Sequence, residues 1–206
     1  MRTYLDTSIM KRAQEKGLFR YVLHNLTDWT VRPTRRVDDR PYGGGAGTIL
    51  SVEPLTHALR DLIALYGSIP IYFMSPTGTV LNQEILENLT EENLVSGGCI
   101  LICGHYEGID ARIFELFPIT QLSLGEYVLS SGELASLVLI DGMVRLIPGV
   151  IHDASHKEDS YSLAFDRKKE YPQFSRPEIF EGLKVPEVLI SGDHRKIEKW
   201  KNENLS

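Results

Sequence analysis

The sequence predicts an α/β protein: a mostly parallel sheet with helices on both faces, plus a small helical part at the C-terminus. Three observations carry that prediction. Short apolar runs occupy 69–74, 97–103 and 119–123. Stretches of helical spacing separate them, long enough for the crossovers that parallel strands need. Each run ends in a loop of small residues, as strands of an open sheet do where they meet a ligand.

The elements follow in chain order. "TSIMKRAQEKGL" predicts a helix capped by Thr7 or Ser8 and stopped by Gly17. "RYVLHNLTDWT", 20–30, alternates enough to predict a strand. "RVDDRPYGGGAGTIL", 36–50, runs charged residues straight into Gly43, Gly44, Gly45 and Gly47. Glycine permits positive φ and lets another molecule reach the main chain, but taken alone the cluster reads as a plain surface loop. "SVEPLTHALRDLIALYG" has apolar residues at helical spacing, Pro54 near the start and Gly67 at the stop. "IPIYFM" predicts a strand ended by "SPTG", and "LNQEILENLTEEN" an amphipathic helix. "GGCILIC" is a second strand, ended by "GHYEGID"; "ARIFELF" is a short helix. "ITQLSLGEYVLSSGE" gives the third strand and its loop, and "LASLVLIDGMVRLIPG" an apolar helix closing near Pro148. Residues 1–149 thus form one domain. Beyond Gly149 the chain turns polar and loses periodicity, which predicts a linker over 150–172 and a C-terminal part, 173–206, ending in a basic helix.

Composition narrows the classes. No apolar run reaches membrane-spanning length, and the first residues lack the apolar core of a signal peptide, so no membrane partner and a cytoplasmic protein are expected. Cys99 and Cys103 stand four apart on a strand, facing one way. No second Cys/His pair gives zinc-finger spacing, so two buried, reduced thiols are expected and no metal ligand is assigned. The net charge of −6 argues against a nucleic-acid partner until its distribution is seen. Residues 1–40 hold nine Lys and Arg against five Asp and Glu, whereas 41–150 hold three against twelve. Basic residues gather at the two ends. Brought together they make a phosphate-binding surface; left apart they are solvated helix faces.

The three strand-end loops, "SPTG", "GHYEG" and "SLGEYVLSSGE", would form a pocket lined by backbone, suited to an adenine edge and ribose hydroxyls. There is no P-loop, no G-x-G-x-x-G and no G-x-S-x-G. Taken alone, Asp159 in "KEDSY" reads as a helix N-cap, and Arg145 in "VRLIPG" as a surface ion-pair partner.

"VDDRPYGGGAG", "SPTG", "CGHYEGID", "SLGEYVLSSGE", "RLIPGV", "DASHKEDSY" and "SRPEIFEGLKVPEVLISGDH" occur in one fixed order. In that order they resemble the bacterial tRNA (guanine-N1)-methyltransferases, the TrmD family of the SPOUT class, over nearly the whole chain. The resemblance implies a deep trefoil knot and S-adenosyl-L-methionine as cofactor. It places Phe73, Met74, Ser75 and Pro76 of the first loop at the cofactor, with Gly104, Tyr106 and Glu107 of the second. From the third it places Leu124, Gly125, Glu126, Tyr127, Val128 and Leu129, then Ser131 and Gly132. It makes Asp159 the general base for the N1 proton and Arg145 the cation at O6, where negative charge develops. The glycine segment, with Asp38, Tyr42, Gly43, Gly44, Gly45 and Gly47, would lie against a guanosine flipped out of the anticodon loop. Ser155 would assist there. The implied partners are tRNA with guanosine at 36 and 37 and a second copy of the chain, and magnesium is expected as an aid. The 150–172 segment would order on tRNA.

The resemblance also implies shortened ends, since the family pattern has an apolar strand before the position of Tyr4 and helices beyond "IEKWKNENLS". His105 stands where many relatives have Arg, Glu126 where Asp is common, Ser131 for Gly, and Ala46 and Ala135 for Pro. Ser131 is the substitution expected to cost most, through a need for positive φ or for close approach of another group. Three rival readings are another SPOUT enzyme acting elsewhere on RNA, an RNA-binding protein without turnover, and a small-molecule nucleotide enzyme of generic α/β fold, which leaves the ordered motifs unexplained.

Overall fold

The computed structural model describes residues 1–152 and 159–206, which divide into two compact units, 1–150 and 151–206. In the first unit β3 (Ile71–Val80) is the centre of a parallel three-stranded sheet. β4 (Ile100–Ile102) pairs on one side and β5 (Ile119–Ser123) on the other. Ile71, Tyr72, Phe73 and Met74 are all buried in succession, because both faces of the sheet are covered.

The strand period divides these residues between two cores. Ile71 and Phe73 join Ile100 and Ile102 on one face, under Leu55, Leu59 and Leu62 of α3 (Val52–Tyr66) and Ile113 of α5 (Ile113–Leu116). Tyr72, Met74 and Leu122 face the other way, against Leu89 of α4 (Gln83–Ser96) and Ala135, Leu139 and Met143 of α6 (Gly132–Leu146). Helices therefore cover both faces, as the sequence predicts. Leu139 is fully buried, and its truncation to Ala would cost about 3 kcal/mol. Asn82 caps α4 by accepting from the Ile85 N–H at 2.8 Å. Two N-terminal helices, α1 (Arg2–Leu5) and α2 (Ser8–Glu15), adjoin α6, where the Tyr4 hydroxyl donates to Asp141 at 2.7 Å.

Two sequence expectations fail. Residues 20–30 form no strand: 26–29 are a 3₁₀ turn, nucleated by the Asn25 side chain, which accepts from the Thr27 N–H at 3.1 Å. Leu26 and Trp29, one 3₁₀ turn apart, then both reach the α3 core. "SPTG" does not end its strand either, since β3 continues to Val80. The cysteines are half-buried and flank β4, and burial pushes the Cys99 thiol up to about 12.

In the second unit Tyr171 is buried, its ring set edge-on to Phe165 and Trp200, with the Lys201 ammonium over its face. A hairpin pairs β6 (Ile179–Phe180) with β7 (Leu183–Lys184). α7 (Glu187–Ile190) and α8 (His194–Glu203) follow, the latter capped by Asp193. No helix among the described residues is long and apolar enough to cross a membrane.

Candidate active site

The sheet order sets the loops side by side, because β3 is central and the strands are parallel. The first loop is an excursion within β3. Met74 and Thr79 both pair with Leu122, so 75–78 bulge away from β5. Ser75 Oγ and Thr77 Oγ1, 2.9 Å apart, hold the bulge. Its return is tight: a Cβ on Gly78 would lie 2.5 Å from the Leu122 nitrogen.

The second and third loops meet main chain to main chain. The Gly132 N–H donates to the Gly104 carbonyl at 2.7 Å, and a Cβ on Gly132 would sit 2.5 Å from the Gly104 nitrogen. Glycine is therefore required at 132 by contact rather than by φ. One residue earlier, Ser131 stands at the N-cap position of α6 with φ −162°, ordinary extended backbone. The expected strain at Ser131 is absent. A Cβ on Gly104 would strike the Phe73 ring at 2.8 Å, which brings the first loop's base into the same junction. Phe73 and Met74 are core residues, while Tyr106, Glu107, Glu126, Tyr127 and Val128 are exposed and Leu124 and Leu129 pack on the α6 core. Ser123 Oγ accepts from the Gly125 N–H at 3.2 Å and fixes the start of the third loop.

The glycine segment is tied to the second loop along its exit. β1 (Asp38–Asp39) pairs antiparallel with β2 (Ile49–Leu50). The other edge of β2 meets residues 107–110: Glu107 N–H donates to Thr48 O, Leu50 N–H to Gly108 O and Asp110 N–H to Leu50 O, each at 3.0 Å. A Cβ on Gly47 would lie 2.8 Å from Glu107 Oε1, so the Glu107 side chain fills the space that a larger residue would take. The tip is open: Tyr42 is fully exposed, and Gly43, Gly44 and Gly45 have positive φ with nothing near.

Paired charges flank the base of this segment. Arg36 lies 3.3 Å from Asp38, Arg32 3.0 Å from Asp39 and Arg112 2.6 Å from Asp110. Hydrogen bonds from Arg36 and the Thr48 hydroxyl hold the Asp38 carboxyl below the usual carboxylate range. Sequence reading missed this bracing of Asp38, although an Arg two residues before an Asp was a visible signal.

The structure gathers the three loops and the glycine segment, but not every proposed functional residue. Arg145 is in the last turn of α6, thirteen residues from Gly132. That is about 20 Å along the helix axis. Asp159 is in the second unit and partly buried. Ser155 lies outside the described residues. No group of three His, Cys, Asp or Glu among the described residues is placed to hold a metal ion.

The family described as tRNA (Guanine-1)-methyltransferase TrmD matches residues 1–206. The chain belongs to that family. A tRNA (guanine-N(1)-)-methyltransferase of Clostridioides difficile strain 630 is 42% identical over 204 residues, covering 98% of this chain and 85% of the relative. One from Thermomicrobium roseum is 45% identical over 199 residues, covering 96% of this chain and 72% of the relative. The crystal structure of the tRNA (m1G37) methyltransferase from Aquifex aeolicus superposes with a TM-score of 0.75 at 34% identity, covering 98% of this chain and 82% of that one. The TrmD-family match thus includes every loop of the candidate site as well as Arg145 and Asp159.

Proposed function

We propose that the protein transfers a methyl group from S-adenosyl-L-methionine to N1 of guanosine 37 of tRNA, beside the anticodon. The observation that carries this reading is the seam between the glycine segment and the second loop, where Glu107 bonds Thr48 and fills the space beside Gly47. It sets a bare, open segment fit for a large ligand next to a cluster of loops fit for a nucleotide. The three loops suit the donor because small residues leave main-chain amides and carbonyls to meet an adenine edge and ribose hydroxyls. Bound there, S-adenosylmethionine supplies an electrophilic methyl group.

The chain's own residues do the rest. N1 of guanine carries a proton and is a poor nucleophile. Asp159 takes that proton, and the Arg145 guanidinium meets the negative charge that builds on O6. The open tip accepts the flipped base, with Asp38, already braced by Arg36 and Thr48, facing the guanosine at 36. Ser155 assists there. Arg145 stands about 20 Å along α6 from the loop junction, which favours a site completed by a second copy of the chain. The reading therefore includes a homodimer, a trefoil knot holding the cofactor, a 150–172 linker that orders on tRNA, a tRNA-binding part over 173–206 and a cytoplasmic location. Magnesium has no assigned ligand in this scheme.

The test is methyl transfer from labelled S-adenosylmethionine to a tRNA transcript with guanosine at 36 and 37. Transfer should need guanosine at 37 and fall steeply in Asp159→Asn. Equal transfer to a transcript with adenosine at 37 would overturn the assignment.

A further inference from the structure

We infer that Arg36 takes an RNA phosphate at the seam between the glycine segment and the second loop, leaving Asp38 to the base. The inference rests on the tRNA reading above and names a contact within it. Three arginines pair with aspartates beside the glycine segment, and two of them are spent. Arg112 grips both oxygens of Asp110, its Nε at 2.9 Å and its Nη2 at 2.6 Å. Arg32 divides its terminal nitrogens between the Asp38 carbonyl at 3.1 Å and the Asp39 carboxylate at 3.0 Å. The Arg36 side chain makes one bond among the described residues, from Nη2 to Asp38 Oδ2, and at 3.3 Å it is long for a charged pair. A guanidinium carries several N–H donors in a planar fork, so most of its capacity remains for a ligand.

The exposures point the same way. The Arg36 side chain is 59% exposed and that of Asp38 is 14%, so the cation faces solvent and the carboxylate faces inward. Asp38 does not depend on Arg36 alone, because the Thr48 hydroxyl also donates to it. Thr48 belongs to the seam, its carbonyl accepting from the Glu107 N–H at 3.0 Å. Arg36 also feels the hydroxyl of Tyr106, the second-loop residue before Glu107. Its charge therefore stands where the proposed RNA loop and the donor loops join. Arg40 is exposed too, but among the described residues no bond holds its side chain at the seam. Exposed ion pairs hold weakly. A phosphate diester, with two oxygens facing outward, matches the guanidinium fork and displaces such a partner.

The exchange of partners does two things at once. The phosphate draws the guanidinium off Asp38, and the freed carboxylate oxygen accepts from the N1–H and N2–H donors of a guanine. Asp38 keeps Thr48, and with it its place. Arg36 thus positions the RNA and Asp38 reads the base. The position suits the charge distribution as well. Residues 41–150 hold three Lys and Arg against twelve Asp and Glu, so a cation at the seam offsets the repulsion that an incoming polyanion meets.

The experiment is tRNA binding across a range of monovalent salt, with transcripts bearing guanosine or adenosine at 36 before guanosine 37. In Arg36→Gln the slope of log affinity against log salt should shrink by about 0.7–0.9, the equivalent of one phosphate contact. At about 0.1 M salt both transcripts should bind about three- to tenfold more weakly, and equally so. Arg36→Lys, which keeps the charge, should keep the wild-type slope. Asp38→Asn should also keep the slope but lose the preference for guanosine at 36. Arg36→Gln with the wild-type slope overturns the inference; if it also loses the guanosine preference, the arginine only braces Asp38. Calorimetric titration of S-adenosylmethionine should give Arg36→Gln the wild-type affinity. A loss there, in place of the change in slope, would put the guanidinium on the donor's carboxylate and overturn the RNA contact. If wild type methylates tRNA while the slope of Arg36→Gln is unchanged, the Arg36 contact alone falls. If wild type neither binds nor methylates tRNA, the guanosine-37 reading falls and takes the contact with it.

Discussion

The glycines of the opening loop and those of the strand ends do opposite things. Gly44 has φ +81° and nothing within 4 Å of where a Cβ would stand. Gly132 has no unusual φ, yet a Cβ there would collide with the backbone of Gly104 at 2.5 Å. The conspicuous cluster is needed for its conformation and its open surroundings. The inconspicuous glycine is needed because two main chains touch. A glycine's neighbours in space, and not its neighbours in sequence, decide what replacing it costs.

Four substitutions sharpen that contrast. Gly132→Ala carries the largest expected effect. Its obstacle is backbone that cannot swing aside, so urea unfolding should show a loss of about 3 kcal/mol, and S-adenosylmethionine binding should fail with it. Gly44→Val comes next and should separate functions. A left-handed φ costs a side chain about 1–2 kcal/mol. Methylation of tRNA should fall roughly tenfold, the rate equivalent of that strain, while cofactor affinity holds. Loss of both together would sink the division between RNA loop and cofactor loops.

Asp38→Asn tests the bracing beside the open tip. The Asp38 carboxyl is held low by Arg36 and Thr48, so its contribution is present above the unfolded carboxyl value of about 3.9. It is lost as pH falls through the lower, folded value. The stability gap between wild type and Asp38→Asn should therefore be seen at neutral pH and close in strong acid. Ser131→Gly should do least. Ser131 is extended and makes no capping bond, so a change of only a few tenths of a kcal/mol is expected. A large gain would show that the strain sits at 131 after all.

Much of the framework was legible because helical periodicity and apolar runs are local signals. α3, α4 and α6 lie where the spacing of Leu and Ile put them, and the three strands hold the apolar runs. The errors came where a local signal had a nonlocal cause. Leu26 and Trp29, three apart, would face opposite ways on a strand, but a 3₁₀ turn brings both to the core. "SPTG" looks like a strand terminator but is an excursion opposite Leu122. The site shows the same division. Residue types named the loops, but the bond from Glu107 to Thr48 links positions far apart in sequence, and no periodicity encodes it.

β2 uses both of its edges, one on β1 and one on the second loop. The glycine segment is therefore anchored at its exit while Tyr42, at its tip, is fully exposed. A fluorophore carried at position 42 would sit on a tethered mast, and its emission would report what arrives at the tip more than any wandering of the base. Attachment through Tyr42→Cys is selective, because the native thiols of Cys99 and Cys103 are half-buried and shifted upward by burial, hence slow to react. The arrival of RNA thus becomes an optical signal that can be timed apart from the chemistry that follows.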